Sequence, residues 1–268
     1  MSDAEEPRSL VVTGGSGGLG SAIARRFAAR GARVFFTYLG GESRARALVG
    51  EITADGGQAT AVQMDLTDPA SVARAFATVH STVPSVDILI NNAAYRPIGA
   101  FLDLTDEDWS RVLDTNLMGA VRTIRQVLPG MRRSGWGRII NVSGLDALWG
   151  FGNRAHVTVS KTGLMGLTRA AAIETAHDGI TVNTVVPGSF RTPRDPASYP
   201  NWEQMRRYLV SETPIGRQGE PVELADLCWW LSSTEAGYIT GQDIHINGGA
   251  YPLKRNPLLS GADGPDGL

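Results

Sequence analysis

The first stretch able to do chemistry is Thr13-Gly14-Gly15-Ser16-Gly17-Gly18-Leu19-Gly20. Glycines at this density allow a tight turn and let backbone N–H groups approach a pyrophosphate at the start of a helix. Candidate proton carriers lie further on. Asp146 follows Val142-Ser143-Gly144 in a loop beyond a predicted strand end, where open α/β sheets bind ligands. Its neighbours Leu145, Leu148, Trp149 and Phe151 are apolar, so the carboxyl is expected to be held protonated. His156 has a ring whose intrinsic pKa suits proton transfer near neutrality. At about 100° per helical residue it points away from the face shared by Val157 and Lys161, toward solvent or a subunit contact. Tyr95, Tyr199 and Tyr208 are further possible donors. Trp149, Phe151, Tyr199 and Trp202 would give the pocket an aromatic wall suited to a ring-bearing or acyl substrate.

These groups need a scaffold. Short apolar runs alternate with longer amphipathic segments, the pattern of a parallel sheet with helices on both faces. The expected fold is α/β, a three-layer doubly wound (Rossmann) sheet of about seven strands. The predicted strands are Leu10–Thr13, Arg33–Thr37, Ala59–Met64, Ile88–Asn91, Arg138–Val142, Thr181–Val186 and Asp243–Ile246. Helices are predicted to start near Gly18, Ser43, Pro69, Asp106, His156 and Pro221. Thr67-Asp68-Pro69 and Thr105-Asp106-Glu107 carry the cap and early acids of helix N-termini. Trp229 and Trp230 read as core residues of the last helix. One domain is expected over 9–251, with a substrate-loop insertion at 189–211, a tail at 1–8 and a second tail at 252–268.

The chain has 268 residues and a formal charge of −2, which gives no electrostatic footprint for nucleic acid. No apolar run is long enough to span a bilayer. Met1–Arg8 is acidic and polar, unlike a signal peptide, so the cytoplasm is the expected location. The single cysteine, Cys228, excludes an internal disulfide framework and a multi-cysteine metal site, and its neighbours mark it as a buried structural thiol.

Taken in order, the motifs resemble the short-chain dehydrogenase/reductase family from about Ser9 to Tyr251. The resemblance rests on the Thr-Gly-x-x-x-Gly-x-Gly run, Asp65-Leu66, Asn91-Asn92-Ala93-Ala94, Asn116 in Asp114-Thr115-Asn116-Leu117, Lys161 in Val159-Ser160-Lys161-Thr162-Gly163-Leu164, Pro187-Gly188 followed by Thr192, and Gly241 to Gly249. It implies a nicotinamide dinucleotide held by Gly14, Ser16, Gly18, Leu19, Thr37, Tyr38, Arg44, Asp65, Leu66, Asn92, Ala93, Lys161, Pro187, Gly188 and Thr192. Lys161 would hold the nicotinamide ribose, and Thr192 belongs to the loop that holds the carboxamide. The end of the second strand, Thr37-Tyr38-Leu39-Gly40-Gly41, carries no acid, and Ser43 and Arg44 follow. NADP(H) is therefore expected over NAD(H), with Gly17 and Glu42 pulling the other way.

The resemblance fails at the chemistry. The family uses a Tyr four residues before the Lys, with a Ser and a supporting Asn. Here that position is Val157, which has no proton to give. In the commonest register Gly144 stands where the catalytic serine is expected; a one-residue slip would offer Ser143 instead. The catalytic candidates are thus Asn116, Lys161, Asp146 and His156. The leading expectation is an oxidoreductase with a non-standard proton donor, acting on an enone or carbonyl compound. The alternatives are a non-redox enzyme (dehydratase, isomerase or cyclase) and an inactive nucleotide-binding subunit. The long helices at 106–133 and 156–176 resemble those the family uses for homo-dimer and homo-tetramer contacts.

Overall fold

The computed structural model of the chain describes residues 7–193 and 201–253. Seven parallel strands form one sheet: β1 (Ser9–Val12), β2 (Arg33–Tyr38), β3 (Gln58–Gln63), β4 (Ile88–Asn91), β5 (Gly137–Val142), β6 (Ile180–Pro187) and β7 (Asp243–Ile246), in the order β3-β2-β1-β4-β5-β6-β7. Every predicted strand lies within a residue of its observed limits. The order reverses between β1 and β4, and that break opens a crevice at the carboxyl ends of the strands.

Among the described residues, eight α-helices connect them: α1 (Gly18–Ala29), α2 (Glu42–Ala54), α3 (Pro69–His80), α4 (Asp106–Leu113), α5 (Gly119–Ser134), α6 (Ala155–Thr175), α7 (Trp202–Ser211) and α8 (Pro221–Leu231). Their starts are written locally. Asp68 accepts the Ala70 N–H at 2.8 Å with Pro69 in the first turn. Thr105 and Asp108 form a reciprocal capping box at α4. Helix α7 was not foreseen within the 189–211 insertion; it contributes no buried residue to the core, so no apolar stripe announces it.

Strand alternation splits the core into two layers. Leu10 and Val12 join Ile23, Phe27, Phe36, Leu224 and Cys228 on one face. Val11 joins Phe35, Phe76, Leu89, Val127 and Ile139 on the other. Burial pushes the Cys228 thiol up to about 12, consistent with its packing role. Trp229 meets Phe27 edge-on at 5.2 Å. Trp230, expected in the core, is instead 45% exposed, because α8 turns that side outward.

The helical region at 106–133 is not one regular helix. Between α4 and α5, Asp114–Met118 forms a π-turn. Its cause lies in the site it faces.

Candidate active site

The glycine-rich turn is built from β1, β2 and β4 together. The Thr37 hydroxyl accepts the Gly14 N–H at 3.2 Å, and the Thr37 carbonyl takes the Gly15 N–H. The Asn92 amide donates to the Thr13 and Gly14 carbonyls at 3.0 and 3.2 Å, while the N–H groups of Asn92 and Ala93 converge on the Thr13 hydroxyl. Gly14 has φ +64°, and a β-carbon there would lie 2.9 Å from the Cα of Ala93, so only glycine fits. Gly18 has φ +52°, and no atom lies within 4 Å of where a Gly17 β-carbon would stand. The first N–H groups of α1 have no intrahelical acceptor. Ser16 and Leu19 flank this opening, and Thr192 reaches it from the other side, its methyl 3.7 Å from the Gly18 β-position. Pro187 ends β6, and Gly188 closes on Asn247 so tightly that a β-carbon would meet its Cα at 2.8 Å. This open, N–H-rich cradle fits a dinucleotide pyrophosphate.

Toward the β2 and β3 ends, Tyr38 packs on the core. Leu66 is buried against Gly119, and its carbonyl accepts from Arg122 at 2.7 Å. Asp65 accepts from the Thr67 N–H and hydroxyl through Oδ1. Arg44 is exposed, and its guanidinium folds back to 3.0 Å from the β-position of Gly41 at the turn after β2. Glu42 is held by Arg46 at 2.6 Å.

The chemistry-bearing residues lie beyond β4 and β5. Asn116, at the centre of the π-turn, accepts the Tyr95 N–H at 2.7 Å. It also donates to the Tyr95 carbonyl and the Ser160 hydroxyl, each at 3.0 Å. Turning Asn116 inward to clamp that loop onto α6 is the work the irregular turn does. Lys161 is buried, and its Nζ donates to the Val142 carbonyl at 2.7 Å. Burial, with Arg96 adding and Asp146 opposing, pulls its ammonium from 10.5 down to about 7. Val157, one turn earlier, is wholly buried. The Ser143 hydroxyl is also buried and donates to the Lys161 carbonyl at 3.2 Å.

Asp146 is buried on a single 3-10 turn, Leu145–Ala147. Its surroundings are not the purely apolar ones expected: Arg154 stands 3.7 Å from Oδ1, which accepts no hydrogen bond among the described residues. Oδ2 lies 3.7 Å from where a Gly144 β-carbon would be. The His156 ring is buried rather than solvated, edge-on to Trp109 at 6.0 Å. Neither ring nitrogen has a hydrogen-bond partner among the described residues, and burial lowers its pKa, against the pull of Asp108. It faces α4, away from Lys161. Tyr95 lies under the Arg111 guanidinium at 4.5 Å, Tyr208 is exposed on α7, and Tyr199 falls outside the described residues.

Of the expected aromatic wall, Trp149 and Phe151 come together, Tyr199 lies outside the described residues, and Tyr251 joins them. Trp149 meets Phe151 and Tyr251, both at 6.2 Å, and Tyr251 meets His245 at 5.3 Å. Tyr251, Arg96 and Arg154 were missed by sequence reasoning. None carries a periodic or motif signal; only the meeting of three loops gives them a role.

A family model described as enoyl-(acyl carrier protein) reductase matches residues 14–251. The chain is 36% identical to a 3-oxoacyl-(acyl-carrier-protein) reductase of Staphylococcus aureus, across 91% of this chain and 98% of that relative. It is 38% identical to an acetoacetyl-CoA reductase of Cupriavidus necator, with the same coverage. The solved structure of a candidate gluconate dehydrogenase from Agrobacterium tumefaciens superposes with a TM-score of 0.87 at 34% identity, over 92% of this chain and 96% of the other.

The chain belongs to the short-chain dehydrogenase/reductase family. It is an oxidoreductase of that family, on the family's doubly wound sheet. Among the described residues no helix is long and apolar enough to cross a membrane, and no His, Cys, Asp or Glu cluster is placed to hold a metal.

Proposed function

We propose that this short-chain dehydrogenase/reductase is an NADP(H)-dependent reductase of an enone or carbonyl group in an acyl or ring-bearing substrate, its proton supplied by Lys161, with the Asp146 carboxylate in the same site. The observation that carries this reading is a buried lysine, poised near neutrality beside a buried carboxylate, with Val157 where the family's tyrosine is expected. When bound, the nicotinamide supplies the hydride. The glycine turn, Asn92, Ala93 and the Pro187–Thr192 loop would hold the dinucleotide, and Lys161 would lie near its ribose.

The remaining work falls to side chains. Ser143 is turned onto the α6 backbone and His156 onto α4, so neither faces the reacting group. Gly144 is extended, with φ 166°, and Asp146 Oδ2 lies 3.7 Å from the place its β-carbon would take. The Lys161 Nζ holds the proton, loosened chiefly by burial and then by Arg96, with the Asp146 carboxylate opposing them. Saturation of a carbon–carbon double bond needs less acid assistance beside the hydride acceptor than ketone reduction does. The enoyl reductase description of the matching family supports that half of the reading.

Arg44 supports NADP(H). It has no carboxylate partner among the described residues, and it covers the turn after β2, while the nearby Glu42 is neutralised by Arg46. The purified protein should consume NADPH with a panel of enones and acyl ketones, and Arg44→Ala should cut its preference for NADPH over NADH by about tenfold. NADPH bound without turnover of any substrate in either class would defeat the reductase reading.

A further inference from the structure

One buried titratable group takes no part in the chemistry of the site. His156 is the second residue of α6 and is wholly buried, yet neither ring nitrogen has a hydrogen-bond partner among the described residues. A neutral imidazole carries one donor and one acceptor, so two polar atoms are buried unmatched. Packing holds the ring instead, edge-on to Trp109 of α4 at 6.0 Å.

A second proton would make both nitrogens donors and bury a charge. The surroundings are poorly set to hold it. The first turn of α6 contains no acid, and the ring sits at the positive end of the helix dipole. Arg154, at the N-cap, acts on the ring with a like charge. On α4, Asp108 favours the proton, but its Oδ2 is already engaged by the Thr105 N–H at 3.0 Å and hydroxyl at 2.8 Å. The other acids of that turn, Asp106 and Glu107, are exposed, and Arg111 is turned onto Tyr95. Asp114 on the π-turn is held by Arg122, and Asp146 by Arg154. The two sides of the junction are also unequal. Helix α4 begins with a capping box, whereas α6 begins at Arg154, whose side chain offers donors only. The Thr158 hydroxyl is buried without a partner as well. The first turn of α6 is thus the side that gives.

We propose that His156 is an acid-operated release: protonation of its ring frees the first turn of α6 from α4, and with it the Arg154–Asp146 contact, and so shuts the enzyme off reversibly. The charged ring leaves Trp109 for water or for the Asp108 carboxylate. Burial lowers the ring's pKa from 6.5, against the pull of Asp108 and with Arg154 adding. The opened turn therefore binds a proton that the closed turn refuses, so closure is complete above 6.5 and weakens as the pH falls below it.

Hydrogen exchange between about pH 7.5 and about pH 5, corrected for the intrinsic pH dependence, tests this. Protection of the amides at 156–159 should fall by about tenfold per pH unit below the transition and return on neutralisation, while α5 stays protected. His156→Phe should hold protection flat across the range. Asp108→Asn, which can keep the cap, should move the transition to lower pH. Flat protection in the wild type overturns the release, as does the same fall in His156→Phe. Equal loss across α4, α5 and α6, or loss that does not reverse, also overturns it, by making the acid effect global unfolding. If His156→Phe does not fold, an unmoved transition in Asp108→Asn overturns it.

The activity arm rests on the reductase reading. Reduction of benzylideneacetone by NADPH should fall with the same transition, although Lys161 is then fully protonated, and His156→Phe should remove that acid limb. An acid limb kept in a folded His156→Phe overturns the release. If the enone is not reduced but exchange follows the expected course, the release stands and the reductase reading falls.

Discussion

Lys161 shows how far burial alone can retune a side chain. Its ammonium is lowered from 10.5 to about 7, chiefly because burial penalises charge. The unfolded chain binds a proton there between those values that the folded chain does not, so stability rises with pH through that window and the burden is greatest below about 7. Lys161→Met should therefore raise the melting temperature at pH 6 by an amount equivalent to a few kcal/mol, and the gain should shrink as the pH approaches 10. A constant gain at both pH values would show that the lysine is not held in this state. The same proton predicts that kcat for reduction falls as pH rises through about 7. Asp146→Asn removes the charge that opposes the lowering, so it should move that midpoint to lower pH. It should also cut kcat by about a hundred- to ten-thousandfold, with NADPH affinity kept. An unshifted pH profile would separate Asp146 from the proton.

At the scale of elements, the π-turn at Asp114–Met118 decides the site's geometry. The periodicity of 106–133 reads as one helix, and an i→i+5 turn has no residue pattern of its own. It persists because Asn116, turned inward, satisfies both backbone groups of Tyr95 and reaches Ser160 on α6. Asn116→Ala leaves those partners unmatched and should cost about 2–4 kcal/mol, a fall in melting temperature of roughly 5–15 °C. It should also raise KM, because the Tyr95–Arg96 loop loses its clamp. Unchanged stability would mean that the turn is held by other contacts. The glycine turn is the opposite case, legible in sequence because its cause is local: Gly14 at φ +64° and a close approach to Ala93 admit no side chain.

For the whole molecule, the outer face of α6 keeps apolar side chains in contact with water: Val159 is 48% exposed and Ile173 78%, fourteen residues apart and so on one side of the helix. Met118 on the π-turn is 39% exposed. Such a face is expected to be covered by a second copy of the chain. Light scattering should give a dimer or tetramer, and Ile173→Glu should shift it toward monomer with the fold intact; a wild-type monomer would refute the expectation.

The sequence by itself determined the seven strands and the starts of α1, α2, α3, α4, α6 and α8 to within a residue, because apolar periodicity and caps act over a few residues; it showed neither α7 nor the break before α5. It determined the glycine turn after β1 for the same reason, and it determined that residue 157 is a valine, which carries no proton. Only the tertiary structure decided how the residues around the missing groups are placed. Ser143 faces the α6 backbone, His156 is buried against Trp109, and Asp146 is paired with Arg154 beside Gly144. Arg96, silent in the sequence, adds to the lowering of the Lys161 ammonium by its like charge. The protonation and pairing of these groups depend on burial and on charges brought from separate loops, and those are set by the packing of the whole chain.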